Sequence, residues 1–173
     1  MTAALHGDPA SCSQAGGSLR RLAADLRSAS AASGKAHALL EEDWSGRVAR
    51  GVGRRTRTLA DAATAAAQEL DRVGALVQDH ATDLAEALHQ ARAVEEAAQQ
   101  AGLAVADGRV VPRWGVAGLA DEEALGAREL RRCELQAQLD HAVLQLTRRR
   151  ARLTAALEAA RSVLAHHSAA LRE

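Results

Sequence analysis

The chain has 173 residues, no formal net charge and a narrow range of apolar side chains. Its length suits one domain, or one domain with an extension, rather than two large cores. Balanced charge leaves no overall field to attract nucleic acid or an anionic membrane, so we do not expect nucleic-acid binding. The hydrophobic fraction of 47% contains no Phe or Tyr. Small side chains favour helices packed along narrow seams, which predicts an all-α protein with no small-molecule substrate and no cofactor.

Neither the cysteines nor the N-terminus indicate classical export. Cys12 and Cys133 make neither a zinc knuckle nor a disulfide-rich scaffold, so we interpret both as core residues. Residues 1–17 lack a basic start followed by an apolar run, and no apolar stretch reaches the length of about 18 residues that a membrane span needs. We therefore expect no membrane insertion and a cytoplasmic location.

The first helix is predicted from about residue 9 to residue 41. Asp8-Pro9 places a capping residue before a proline at the first helical position. Alternating spacings of three and four predict that this helix packs along another. Its expected seam comprises Cys12, Ala15, Leu19, Leu22, Leu26, Ala29, Ser33, Ala36 and Leu40.

The second helix is predicted from residue 47 to about residue 101 and would be about 80 Å long at 1.5 Å per residue. Its apolar positions keep a regular four-three spacing, the pattern of a coiled coil. They are Ala49, Val52, Thr56, Leu59, Ala63, Ala66, Leu70, Val73, Val77, His80, Leu84, Ala87, Ala91, Val94 and Ala98.

Residues 103–120 are predicted to form a short β-ribbon and a connector. Asp107-Gly108 is a pair favoured in two-residue hairpin turns, and Trp114 is expected to cover the apolar end of a bundle. A third helix over residues 121–173 then packs back on the second. Its arginine run, residues 148–152, is expected to form edge salt bridges with Glu69 and Asp71.

These elements predict an elongated antiparallel three-helix bundle or coiled coil. The first helix would cover only the half of the second helix nearest Trp44, leaving two helices near Asp107. Exposed seam at the two-helix end would be the natural place for a partner or a second copy to pack. The candidate partner seam comprises Val77, His80, Leu84, Ala87, Ala91 and Val94.

The turn between the first two helices contains Trp44-Ser45-Gly46. Gly46 would permit the backbone angles of a tight turn, Ser45 would cap the second helix, and the Trp44 ring would lie over the end of the bundle. Both tryptophan and glycine therefore have structural reasons to be present.

A basic stripe follows the turn, formed by Arg47, Arg50, Arg54 and Arg57 at spacings of three, four and three. One interpretation is a docking surface for an acidic protein, a phosphate or a lipid head group. The other is a solvated face whose arginines pair with Glu41, Glu42 and Asp43 across the turn.

The Trp-X-Gly tripeptide lies at residues 44–46, between two Ala/Leu-rich amphipathic helices. In this arrangement the chain resembles the Trp-X-Gly family of type VII (ESX-like) secretion. The resemblance covers about residues 5–100, within a hairpin domain over residues 1–102. The link that follows, Gly102-Leu103-x-Val105-x-x-Gly108-x-Val110, is similar to the connector of longer actinobacterial relatives. The resemblance implies a helical hairpin that pairs with another hairpin.

The resemblance also implies an export signal, Tyr-x-x-x-Asp/Glu, after the second helix of the protein or of its partner. This chain has no Tyr, and His80-Ala81-Thr82-Asp83 lies at the corresponding place. We therefore expect either export with a partner that carries the signal or retention in the cytoplasm.

No residue pattern indicates catalysis, since neither a Gly-rich phosphate loop nor a nucleophile with its base is present. The sequence favours a non-enzymatic partner, chaperone-like or substrate-like component of a type VII locus, which binds itself, a sister hairpin or an effector. The alternatives are a cytoplasmic coiled-coil adaptor unrelated to secretion and an anionic-surface binder that uses the basic stripe.

Overall fold

The computed structural model describes residues 5–113 and 122–172, which are mostly helical. Three helices and a small two-stranded sheet confirm the predicted all-α class at this coarse level. In chain order the elements are α1 (Pro9–Asp43), α2 (Arg47–Gln100), β1 (Leu103–Ala106), β2 (Arg109–Pro112) and α3 (Glu122–Arg172). The predicted role of Trp114 and the predicted helix start at Asp121 lie outside the described residues.

The helix boundaries agree closely with the local sequence signals. Pro9 is the first residue of α1, and α2 begins at Arg47 as predicted. Gly102, with φ of +67°, follows the end of α2 in a left-handed conformation that glycine adopts without strain. The structure extends α1 to Asp43, two residues beyond the predicted end, because the Trp44 amide still donates to the Leu40 carbonyl at 2.9 Å.

The chain divides into two compact units. The turn unit comprises Ala10–Asp79 and Arg152–Glu173, and the ribbon unit comprises Met1–Pro9 and His80–Ala151. Both α2 and α3 contribute residues to each unit, so the predicted elements do not coincide with these units.

The core of the ribbon unit lies between its parts of α2 and α3. Leu84, Ala87, Ala91 and Val94 of α2 are buried, as are Leu135, Leu139, Ala142 and Leu146 of α3. Within the same unit, Gly7 lies against Leu84, leaving no room there for a Cβ atom. The N-terminal residues therefore add to the cover of this part of α2.

The two strands pair in antiparallel register, with Leu103 opposite Pro112 and Ala106 opposite Arg109. Asp107 and Gly108 form the turn with φ of 50° and 76°, as the sequence predicts. Helix α3 fixes the ribbon through Gln136. Its amide oxygen accepts from the Val110 amide at 2.7 Å, while its amide nitrogen donates to the Gly108 carbonyl at 3.2 Å.

In the turn unit, α1 and α2 cross closely where two glycines meet. A Cβ atom added to Gly16 would lie 2.6 Å from the Gly74 carbonyl oxygen, and one added to Gly74 would lie 2.8 Å from the Gly16 carbonyl oxygen. Beside this crossing, Asp71 accepts hydrogen bonds from Arg20 at 3.2 Å and from Arg27 at 3.1 Å. Gly16 weakens α1 as an isolated helix, but together with Gly74 of α2 it allows the two helices to pack closely.

Two sequence predictions about packing, the α1 seam and the burial of both cysteines, are wrong in part. The face of α1 turned inward contains Cys12, Gly16, Leu19, Ala23, Leu26 and Ser30. The other predicted seam residues, namely Ala15, Leu22, Ala29, Ser33, Ala36 and Leu40, are exposed. The predicted seam and the observed face share every seventh residue, namely Cys12, Leu19 and Leu26. Between these, the prediction takes the residue one position before the one that faces inward, and at the first such position the residue left out is Gly16, the point of closest approach. Cys133, expected in the core, is exposed.

The predicted register of the arginine run is also wrong. Arg149 pairs with Asp83 and with Glu86, and Arg150 donates to the His6 carbonyl. Asp71 binds Arg20 and Arg27 instead, and Glu69 pairs with Arg72 on its own helix. The first turns of α3 lie beside the ribbon, where Arg128 donates to the Gly102 carbonyl, and this shifts the contacts of α3 along α2.

Candidate binding surface at the helix turn

The turn is built by Gly46, and its geometry corrects the role predicted for Ser45. Gly46 has φ of +114°, and its carbonyl accepts the first helical hydrogen bond of α2, from the Arg50 amide at 3.1 Å. Gly46 therefore occupies the N-cap position, one residue later than predicted. Among the described residues, the Ser45 side chain has no hydrogen-bond partner, so the predicted cap is wrong.

Trp44 borders an open hollow of about 490 Å³ at this end of the turn unit. The hollow is lined by His37 and Trp44 together with Ser45, Gly46, Ala49, Arg50 and Arg57. Trp44 keeps 39% of its surface exposed, so its ring is available for contact. The structure thus brings the predicted turn motif and two residues of the basic stripe to one place.

The four arginines of the basic stripe are exposed, as the periodicity predicts. The Arg57 Nε donates to the Gly53 carbonyl at 3.3 Å, which orients that side chain along the helix. Arg47, Arg50 and Arg54 form no ion pair or side-chain hydrogen bond within the described part of the chain. The predicted pairing with Glu42 and Asp43 across the turn is therefore wrong, and the Glu41 side chain lies outside the described part of the structure.

Several large apolar side chains near the turn are exposed. Leu39 and Val48 each keep 68% of their surface exposed, and Leu40 keeps 55%. Leu40 lies three residues after the half-buried His37, and Val52 lies three residues after the buried Ala49. In an antiparallel helix pair, residues that lie three positions after an inward-facing residue are on the same flank of both helices. Leu40 and Val52 therefore share a flank, whereas Arg50 and Arg57 lie on the opposite one. The turn therefore has one apolar flank and one basic flank.

The predicted partner seam is mostly unavailable in the folded chain. Leu84, Ala87, Ala91 and Val94 are at most 6% exposed, and Val77 and His80 are half-buried. The expectation that this stretch is open is wrong, because α3 and the N-terminal residues of the same unit already cover it. The largest apolar exposure on both sides of the turn lies at Leu39, Leu40 and Val48.

The sequence did contain a signal for the apolar flank. Val48 and Val52 are four residues apart, and Leu39-Leu40 directly precede the turn. Val52 belongs to the predicted α2 seam, and Val48 lies one helical turn before it, so the two valines mark a second apolar face near the turn. The regular four-three spacing of α2 predicts only one apolar face and does not indicate the second.

Other polar groups form structural contacts or lie alone. The Nδ1 atom of His80 is buried without a hydrogen-bond partner. Hydrogen bonds from Arg72 and from Arg132 lower the pKa of Glu69 and of Glu129, respectively. Within residues 5–113 and 122–172, no group of three or more His, Cys, Asp or Glu residues could hold a metal ion. No described helix combines the length and apolar character needed to cross a membrane.

Comparisons of the chain with protein-family models, with curated proteins and with solved structures found no match. The turn and its surroundings are therefore the basis for a proposed function.

Proposed function

We propose that the protein is a non-enzymatic helical-hairpin component of a type VII (ESX-like) secretion locus. It binds a protein partner by helix association, with the turn at Trp44 and Gly46 as the binding end. The antiparallel three-helix bundle and the coiled-coil packing predicted from the sequence belong to the same proposal. The partner is a second hairpin of the Trp-X-Gly type or an effector.

The observation that carries the proposal is the exposure of the turn. A helix end that served only as a connection would bury its tryptophan and neighbouring apolar residues. Here Trp44, Leu40 and Val48 remain accessible on both sides of the turn. Clustered apolar exposure of this kind is typical of protein-interaction sites.

The absence of Tyr from the sequence separates the two ways in which such a component could work. Without the expected Tyr-x-x-x-Asp/Glu signal, the protein either is exported with a partner that carries the signal or acts in the cytoplasm as a chaperone-like partner. The same absence favours the alternative function, a coiled-coil adaptor with no role in secretion.

Co-expression with the products of the neighbouring genes tests the proposal. We expect one of them to co-purify with the full-length protein and to form a complex of defined stoichiometry in light scattering coupled to size-exclusion chromatography. A matched Trp44→Ala variant should lose part of this binding. If the protein remains a monomer and no neighbouring product binds it, the proposal is wrong. Neighbouring genes with no secretion ATPase or effector among them would favour the adaptor.

A further inference from the structure

We propose that the basic flank of the turn docks an acidic amphipathic helix of a protein partner, with Trp44 as its apolar contact. This inference rests on the proposed function for the biological source of the partner. The surface itself is argued from charge, spacing and exposure at the turn.

The basic stripe carries positive charge that nearby acidic side chains do not neutralise. Arg47, Arg50 and Arg54 are exposed and have no acidic partner among the described residues. Some other arginines on helix surfaces do have one, as Arg20, Arg132 and Arg149 show. Like charges three and four residues apart on one helix repel each other, so this arrangement destabilises the isolated α2. An incoming set of carboxylates would remove that repulsion.

The arginines of the basic stripe are regularly spaced along α2. Separations of three, four and three residues place the four arginines along one face of α2 over about 15 Å. A partner helix with Asp or Glu at the same separations would present its carboxylates in matching order. Pairs of this kind between neighbouring helices set partner choice and orientation in coiled coils. A single phosphate group or a disordered acidic chain would not use this regular spacing.

The hollow beside the basic stripe combines charged and aromatic side chains. Arg50 and Arg57 line it together with the accessible Trp44 ring. A tryptophan with two neighbouring arginines supplies both apolar area and charged donors, the combination enriched at the energetic centres of protein interfaces. An acidic helix with apolar residues beside its carboxylates would satisfy both.

A second copy of this chain is a poorer occupant of the basic flank. A symmetric contact at this end would bring two sets of four arginines together, and juxtaposed like charges oppose association. The surface therefore favours a different, acidic protein over self-association.

The direct test uses Trp44 fluorescence of the full-length Trp114→Phe protein, in which Trp44 is the sole tryptophan. The probes are a designed amphipathic helical peptide with Glu at separations of three and four, its Gln counterpart, inorganic phosphate, and vesicles of phosphatidylserine and phosphatidylcholine. We expect the Glu peptide to bind, to bind more weakly as salt rises, and to bind more tightly than the other three probes.

The double variant Arg50→Gln/Arg54→Gln should weaken binding of the Glu peptide about three- to tenfold. Among the described residues, neither side chain has a hydrogen bond or an ion pair that the substitution would remove. Arg92→Gln/Arg161→Gln is the matched control, because both of these arginines are exposed, lack ion pairs among the described residues and remove the same charge. We expect the control to leave binding unchanged.

The inference is overturned if the Glu peptide does not bind, if the Gln peptide binds equally well, or if the control weakens binding as much as the double variant. Tighter binding of vesicles or phosphate would overturn it in favour of a lipid or phosphate ligand. If the Glu peptide binds as expected but no neighbouring gene product co-purifies, the proposed function fails and the docking surface stands. If a neighbouring product co-purifies while the peptide and the double variant show no effect, the docking surface fails and the function stands.

Discussion

Replacing Gly74 with alanine should destabilise the protein, although alanine is the better helix former. The change adds one methyl group where α1 and α2 cross. The new Cβ atom would lie 2.5 Å from the Arg20 Cγ atom, 2.8 Å from the Gly16 carbonyl oxygen and 3.2 Å from the Arg20 amide nitrogen. Two of these three atoms belong to the backbone, so a side-chain rotation cannot relieve the clash.

The expected magnitude follows from two opposing effects. Alanine in place of glycine in a helix contributes about 1 kcal/mol of stability. Overpacking a close contact costs about 1–3 kcal/mol, and contact with backbone atoms places this site near the upper end. The net result is a loss of about 2 kcal/mol, or a fall in Tm of about 4–8 °C for a chain of this size.

Gly51→Ala provides the matched control, because Gly51 is also an interior residue of α2 and a Cβ atom there would meet nothing within 4 Å. It should raise Tm by about 2–4 °C, since only the helix-propensity gain remains. Both variants are compared by thermal and urea unfolding followed by circular dichroism. If Gly74→Ala is as stabilising as Gly51→Ala, the close crossing of α1 and α2 is wrong.

Two further predictions concern polar contacts. Hydrogen bonds from Arg20, and then from Arg27, hold the pKa of Asp71 below its ordinary range, so its stabilising contribution is fully present above about pH 4 and disappears as pH falls through the lowered pKa. Asp71→Asn should therefore lower the urea midpoint at pH 7 but have little effect at the acid end, and an equal loss at both pH values would contradict the ion pairs. Gln136→Ala removes the hydrogen bond that Gln136 accepts from Val110 and the one that it donates to Gly108. It should cost about 1–3 kcal/mol, with faster amide exchange at Val110 in NMR spectra. Unchanged exchange there would refute the role of Gln136.

Local sequence signals were sufficient for the helices and the ribbon because short-range chemistry determines them. Pro9 can start a helix but cannot continue one, and Asp107-Gly108 adopts the positive φ angles of a tight hairpin turn. The long apolar periodicity of α2 identified most of its buried positions, from Ala63 to Ala98. Val52, at 39% exposed, is the exception near the turn.

Helix register could not be predicted in the same way. It depends on where backbones approach closely, as at Gly16 and Gly74, and on how far α3 extends beside the ribbon before it meets α2. Neither quantity is encoded in apolar spacing. The wrong register placed the arginine run beside Asp71 rather than Asp83, and it left the stretch from Leu84 to Val94 open when α3 covers it.

The candidate site was predicted in its parts but not in its arrangement. Sequence identified the Trp44 turn and the basic stripe as separate features. The structure adds that Arg50 and Arg57 share a hollow with Trp44. Among the residues that the structure describes, the stripe has no ion pair with Glu42 or Asp43 across the turn. These additions require a defined turn geometry, which depends on the single φ angle of +114° at Gly46.

Hydrogen–deuterium exchange of the full-length protein, alone and in complex with a co-purified partner, tests most directly whether the turn is the binding end. We predict that binding slows exchange over residues 44–57, where Trp44 and the basic stripe lie. Slower exchange confined to residues 80–100, with residues 44–57 unchanged, would contradict the account.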